Sequence, residues 1–66
     1  MVVTVNGERR DLPADLTVSA LLETLGYEGG FYAVAVNEAL VRRTTWRTTA
    51  VAEGDRVEVV TPRQGG

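Results

Sequence analysis

Two absent residue types limit the chemistry that this chain can perform by itself. It contains no cysteine and no histidine, which excludes disulfides, thiolate or histidine metal sites and nucleophile–histidine pairs within the chain. Its most unusual feature is the end of the sequence, TPRQGG, from Thr61 to Gly66. Two glycines carry no side chain and leave the backbone at its most permissive. Either this end has no role, or the missing side chains are what matters. We expect no catalytic residue and no metal ligand in the chain itself, although a partner could supply an active site.

The composition is that of one small domain. A chain of 66 residues allows a single core and buries only about 60% of its unfolded surface. The net charge is −2 and the arginines are scattered, which argues against a nucleic-acid partner. The sequence shows no signal-peptide pattern and no apolar run near the roughly 20 residues of a membrane span. We therefore expect a soluble, cytoplasmic protein.

The first half of the chain predicts a hairpin followed by a helix. Apolar residues alternate from Met1 to Val5, as in a strand, and Asn6-Gly7 suits a two-residue hairpin turn. A second strand should pair back over about Glu8–Leu12. Thr17 is a candidate helix N-cap. One apolar stripe at helical spacing follows it, and Gly26 can end the helix; the stripe consists of Val18, Leu21, Leu22 and Leu25.

The second half predicts three further strands. Ala33–Val36 alternates, Asn37-Glu38 turns the chain, and a short strand follows at about Leu40-Val41. The segment Arg56–Val60, RVEVV, alternates again. A single tryptophan in so small a domain favours a place in the core for Trp46.

This order of elements predicts an α+β domain of the β-grasp (ubiquitin-like) class, with one helix packed across a mixed sheet of four to five strands. The last strand should lie centrally, beside the first. We expect residues 1–60 to form the domain and 61–66 to form a flexible tail ending in Gly-Gly. The predicted core is Val3, Val5, Leu21, Leu22, Leu25, Val34, Val36, Val57 and Val59.

One pattern runs through the chain in the segments VNGE (5–8), TVSALLETLGY (17–27), AVAVNEALV (33–41), Trp46, EGDRVEVVTP (53–62) and Gly65-Gly66. In these segments the whole chain resembles the ThiS family of sulfur carriers in thiamin biosynthesis. Two departures from the family pattern stand out: Val41-Arg42-Arg43 replaces a frequent Val-Pro-Arg, and Arg63-Gln64 precedes the diglycine where small or apolar residues are usual. The second departure touches the segment that a partner must grip.

The resemblance implies a carrier rather than an enzyme. It implies that Gly66 is the modified residue, adenylated by a ThiF-like enzyme that binds ATP and Mg²⁺, while this chain binds no cofactor. Sulfur from a cysteine desulfurase persulfide would then replace AMP and leave a thiocarboxylate. A ThiG-like thiazole synthase would take that sulfur into the thiazole of thiamin.

The tail residues fit such a role. Pro62 cannot donate to a sheet ladder, and Pro62–Gly66 spans up to roughly 17 Å when extended. Gly65 and Gly66 lack a Cβ, so a closed channel can surround them. Arg63 and Gln64 could contact the adenylating partner or simply be solvated. Val60 faces away from the predicted core, which makes it either a partner contact or an ordinary exposed residue.

Two alternatives stay open. The chain could carry sulfur by the same carboxylate chemistry for molybdopterin synthesis or tRNA thiolation. It could instead be a non-reactive β-grasp binding module of the TGS type, which normally sits within a larger chain and does not need a free Gly-Gly end.

Overall fold

The chain begins with the predicted hairpin. The computed structural model describes residues 1–27 and 30–61. Strand β1 (Val2–Val5) pairs antiparallel with β2 (Glu8–Asp11). Asn6 and Gly7, which connect them, have φ of 50° and 85°, the left-handed conformation that a type I′ turn requires at both positions. β2 ends one residue earlier than predicted, at Asp11.

Helix α1 (Val18–Thr24) begins at the predicted cap. The Thr17 hydroxyl accepts from the Ala20 N–H at 3.2 Å. Backbone carbonyls later in the chain accept from the first two amides of the helix: Val18 N–H donates to the Thr49 carbonyl at 2.9 Å, and Ser19 N–H donates to the Trp46 carbonyl at 3.0 Å. Three amides that a helix start leaves without intrahelical partners are thus satisfied. The helix ends before Gly26, whose φ of +91° stops it.

The second half supplies three strands and one short helical turn. Strand β3 (Ala33–Val36) pairs antiparallel with β4 (Ala39–Val41) through the Asn37-Glu38 turn. A single 3₁₀ turn spans Arg43–Thr45, and strand β5 covers Arg56–Val60. The residues YEGG (27–30) are typical of a turn, and this predicted turn lies partly outside the described residues.

The sheet places the last strand in its centre. The strand order is β2-β1-β5-β3-β4, with β5 parallel to β1 and antiparallel to β3. This mixed five-stranded sheet with one helix is the β-grasp that the sequence predicts. The last strand is therefore held on both sides.

The core lies between the helix and one face of the sheet. The prediction is correct for seven residues and wrong for Leu25 and Val36, which are only partly buried at its margin. Leu25 caps the end of α1, and Val36 is the last residue of β3 before a turn, so neither is surrounded on all sides. The buried residues are the seven correctly predicted ones together with Leu12, Val18, Trp46 and Val51. The seven are Val3, Val5, Leu21, Leu22, Val34, Val57 and Val59.

Trp46 belongs to the core, as predicted. Its side chain is buried, and its indole N–H donates to the Val41 carbonyl at 2.9 Å. The polar end of the ring is thereby satisfied, which burial of a tryptophan requires. The ring also ties the 3₁₀ turn to β4.

Candidate functional site

The central strand leads directly into the predicted site. β5 ends at Val60, and Thr61 is the last residue that the structure describes. The predicted tail residues Pro62, Arg63, Gln64, Gly65 and Gly66 lie outside the described residues, and so does most of the predicted flexible segment 61–66. Their roles and the domain boundary at residue 60 stay predictions. The structure does describe the base from which the segment departs.

That base alternates between buried and exposed side chains. Val57 and Val59 of β5 are buried, whereas Val60 is 59% exposed. Val60 therefore faces away from the core, as predicted. It lies on the sheet face opposite the helix, which we call the open face.

The open face carries an apolar patch around Val60. Ala33 lies opposite Val60 in the β3–β5 register, and Ala35 lies opposite Leu40 in the β3–β4 register. Leu40 is 71% exposed. We call these four residues, Ala33, Ala35, Leu40 and Val60, the open-face patch. Because the two alanines are small, Leu40 and Val60 project beyond them.

Charged residues of β5 border this patch. Glu58 lies opposite Ala35, and Arg56 lies opposite Thr4 of β1. Arg56 also forms an exposed ion pair with Glu38 at 3.2 Å, which stabilises the fold by about 1 kcal/mol at most. The open face thus has an apolar part beside the exit of β5, bordered by charged residues. An apolar centre with a polar border is the usual arrangement of a protein-binding surface.

A second surface feature lies on the helix side of the molecule. A groove of about 300 Å³ runs between α1 and the 3₁₀ turn. The Arg43 guanidinium lies 5.4 Å from the Trp46 ring centroid and donates to the Gly30 carbonyl at 3.3 Å. Tyr27 and Tyr32 meet edge to face, with centroids 5.3 Å apart. These contacts pack residues 30 and 32, which follow the helix, against their neighbours. They account for the side chains that line the groove.

The described residues contain neither a metal-binding cluster nor a membrane-spanning helix. Within residues 1–27 and 30–61, acidic side chains do not gather in groups of three or more that could hold an ion. The helices in those ranges are also too short or too polar to cross a bilayer.

Sequence reasoning missed part of the exposed apolar surface. The sequence predicts Leu40 only as part of a strand and predicts no surface role for Phe31, which is 80% exposed. Alternation within β4 assigns Leu40 to one face, but only the register with Ala35 shows that this face is the open one. Asn6 and Asn37 are predicted turn residues, and no local pattern shows that their side chains also contact β5.

The architecture defines the class of the protein, and comparison with solved structures agrees. The crystal structure of the thiamine biosynthesis protein (ThiS) from Geobacter metallireducens matches with a TM-score of 0.86 and 30% identity over all of both chains. The solution structure of a thiamine biosynthesis protein from the same organism matches with a TM-score of 0.79 and 32% identity, covering all of this chain and 87% of the other. The chain is a ubiquitin-like β-grasp protein.

Sequence comparison narrows the class to a family. The model of the ThiS family matches residues 3–66, and the chain belongs to that family. The chain is also 38% identical, over its whole length, to a thiazole synthase of Paramagnetospirillum magneticum, and 37% identical over 60 residues to one of Magnetococcus marinus. It spans about a fifth of the length of these curated relatives, 20% and 18% respectively.

Proposed function

We propose that this chain is a sulfur carrier of thiamin biosynthesis and that the carboxylate of Gly66 carries the sulfur. The observation that supports this most strongly is the extent of the family match, which runs from residue 3 through Gly66 and so includes the diglycine. The likeness to the Geobacter thiamine biosynthesis protein over the full length of both chains adds support. The chain itself acts as a carrier, and the reactions are catalysed by its partners.

The proposed chemistry has two steps. A carboxylate oxygen of Gly66 attacks the α-phosphorus of ATP in a ThiF-like enzyme, and pyrophosphate leaves. The product is an acyl-adenylate, whose carbonyl carbon is attacked by sulfur while AMP leaves. With sulfide as donor, the product is the thiocarboxylate. With a cysteine desulfurase persulfide, the acyl disulfide formed first must be cleaved by a thiol. Mg²⁺ and ATP belong to the partner's site.

The central strand supports this role because it gives the reactive segment a fixed base. β5 is paired with β1 on one side and with β3 on the other. Pro62 follows directly after Thr61 and cannot continue the ladder. Gly65 and Gly66 present no side chain to a narrow channel, while Arg63 and Gln64 are the tail residues with side chains long enough to contact its walls.

We assign docking of the adenylating enzyme to the open-face patch. Ordering a tail costs about 1–2 kcal/mol of conformational entropy per residue, so a surface outside the tail must contribute to binding. Leu40 and Val60 are two of the three large, strongly exposed apolar side chains among the described residues, and Val60 immediately precedes Thr61. Burial of apolar surface at this position would bring the tail to the partner's site.

A thiazole synthase is the acceptor that we propose for the sulfur. Two relatives bearing that name contain a segment similar to this chain as about a fifth of their length. A carrier joined to its acceptor would have a high effective concentration at the acceptor's site. This supports the pairing of carrier and acceptor for the present chain.

Pyrophosphate exchange tests the first step. The protein, ATP, Mg²⁺ and the adenylating enzyme are mixed with labelled pyrophosphate, and label should appear in ATP only when the carboxylate reacts. Removal of Gly66 or addition of one alanine after it should abolish exchange, since either change moves the carboxylate by about 3.3–3.6 Å, and a 1 Å error already costs about 100-fold. Gly65→Val should fail by steric exclusion.

The control is a small change outside the tail, Ala52→Gly, at an exposed loop residue. It should exchange at the wild-type rate. Exchange by the variant that lacks Gly66, or the absence of exchange in the wild-type protein with its own adenylating enzyme, would contradict the proposal.

A further inference from the structure

The side chain of Asn6 holds the end of the central strand. Its Oδ1 accepts from the Val59 N–H at 2.8 Å, and its Nδ2 donates to the Val59 carbonyl at 3.2 Å. A longer contact of 3.5 Å joins Nδ2 to the Tyr27 hydroxyl. One carboxamide thus binds both polar backbone groups of a residue 53 positions away, next to the point where the chain leaves the sheet.

This contact continues the ladder between β1 and β5 after β1 has ended. Thr4 N–H donates to the Asp55 carbonyl at 3.0 Å, and Asn6 N–H donates to the Val57 carbonyl at 2.9 Å. The next carbonyl in this two-residue series is that of Val59. The backbone of β1 cannot reach it, because the chain turns at Asn6-Gly7, so the Asn6 carboxamide takes the place of the missing peptide group.

Asparagine is well suited to this position. Its carboxamide offers a donor and an acceptor together, whereas ionised aspartate only accepts. Its φ is 50°, a left-handed conformation that asparagine adopts more readily than most residues. The turn and the contact with Val59 therefore favour the same side chain.

The other hairpin turn holds the opposite end of β5. Asn37 also begins a turn, with φ of 52°. Its Oδ1 accepts from the Arg56 N–H at 2.9 Å, and its own N–H donates to the Arg56 carbonyl at 2.7 Å. Asn37 therefore fixes the start of the strand and Asn6 fixes its end. Only the end that Asn6 holds leads to Gly66.

We propose that Asn6 is a positioning residue for the carboxylate of Gly66, acting through Val59. Without its carboxamide, the last residues of β5 would be held from β3 alone and could turn away from β1. The end of β5 is the point from which the segment leading to Gly66 starts, so a change in its direction moves that starting point relative to the open-face patch. The inference rests on the proposed function, because it concerns the placement of that carboxylate in the adenylating site.

Two glycine variants separate positioning from general stability. Asn6→Gly keeps a turn that tolerates positive φ and removes both contacts with Val59. Asn37→Gly makes the same change in the same kind of turn at the far end of β5, and serves as the matched control. Asn6→Asp keeps the acceptor for the Val59 N–H and faces the Val59 carbonyl with a second acceptor, so it should give an intermediate result.

Two readouts are needed. The first is the N–H residual dipolar coupling of Val60 and Thr61 in weakly aligned samples, which should shrink in Asn6→Gly and keep the wild-type value in Asn37→Gly. The second is pyrophosphate exchange with the adenylating enzyme. There kcat should fall about tenfold in Asn6→Gly, which corresponds to ~1.4 kcal/mol. KM should change by a smaller factor, because three of the four residues of the open-face patch lie in β3 and β4, away from the lost contacts.

Each outcome decides the inference. Reduced couplings and reduced kcat in Asn6→Gly alone support it. Equal behaviour of the two glycine variants overturns it, and so do reduced couplings with an unchanged kcat, which would make Asn6 merely structural. If the wild-type protein does not exchange at all, the proposed function fails and the positioning role fails with it; the couplings would still report whether Asn6 holds the end of β5.

Discussion

Truncation of Leu21 is the most severe test of the packing that supports the sheet. Leu21 lies in α1, is 0% exposed and is among the largest fully buried side chains. Leu-to-Ala changes in cores cost about 2–5 kcal/mol, depending on how far the site collapses. Because Leu21 is enclosed on all sides, we expect Leu21→Ala to cost about 3–5 kcal/mol. At about 0.05–0.15 kcal/mol per residue, the whole domain has only about 3–10 kcal/mol of stability.

Urea unfolding followed by tryptophan fluorescence measures this cost. The chain has one tryptophan, and Trp46 is buried against the same core, so its emission reports unfolding. With an m-value of about 1 kcal/mol/M for so small a protein, the midpoint should fall by about 3 M or more. Leu40→Ala deletes the same atoms at a position that is 71% exposed and should change stability by less than about 0.5 kcal/mol.

Equal midpoints for Leu21→Ala and Leu40→Ala would refute the assignment of the core. If Leu21→Ala is already unfolded without urea, Leu22→Ala provides a milder version of the same test. Leu22 is 4% exposed and lines the groove beside Trp46, so water can enter the space that it vacates. We expect a cost of about 2–3 kcal/mol, at the lower end of the range for such changes.

Three further changes test separate parts of the structure. Thr17→Ala removes the cap that accepts from Ala20 N–H and should cost about 1 kcal/mol in urea unfolding, with Thr17→Ser as the variant that restores it. Gly26→Ala places a Cβ at φ of +91° and should also cost about 1 kcal/mol; an unchanged midpoint would contradict the assigned role in ending α1. Val60→Glu should raise KM in pyrophosphate exchange at least about tenfold and leave the urea midpoint unchanged, whereas an unaltered KM would exclude the open-face patch as the docking surface.

The order of the elements could be predicted because local signals and tertiary structure agree. Asn6-Gly7 specifies a turn type, Thr17 and Gly26 delimit the helix, and apolar residues repeat at the period of each element. Local patterns do not predict the burial of residues at the margin of the core or in loops. Leu25 fits the helical stripe, yet it caps the helix and is only partly buried. Leu12 and Val51 lie in loops, whose burial depends on how the elements pack.

The candidate site could be predicted only in part, because its surroundings depend on strand register. Alternation within β5 was sufficient to place Val60 on the open face. No local pattern shows that Ala33 lies opposite Val60 or that Ala35 lies opposite Leu40. The contact between Asn6 and Val59 joins residues 53 positions apart, so it too becomes visible only in the folded chain.

The most direct test of the central claim is the intact mass of the chain ending at Gly66 after incubation with ATP, Mg²⁺, its adenylating enzyme and a sulfide or persulfide source. The proposal predicts that one oxygen is exchanged for sulfur and that fragmentation assigns the change to Gly66. An unchanged mass, under conditions in which the same enzyme thiolates a known carrier, would contradict the proposal and leave a non-reactive β-grasp binding module as the better account.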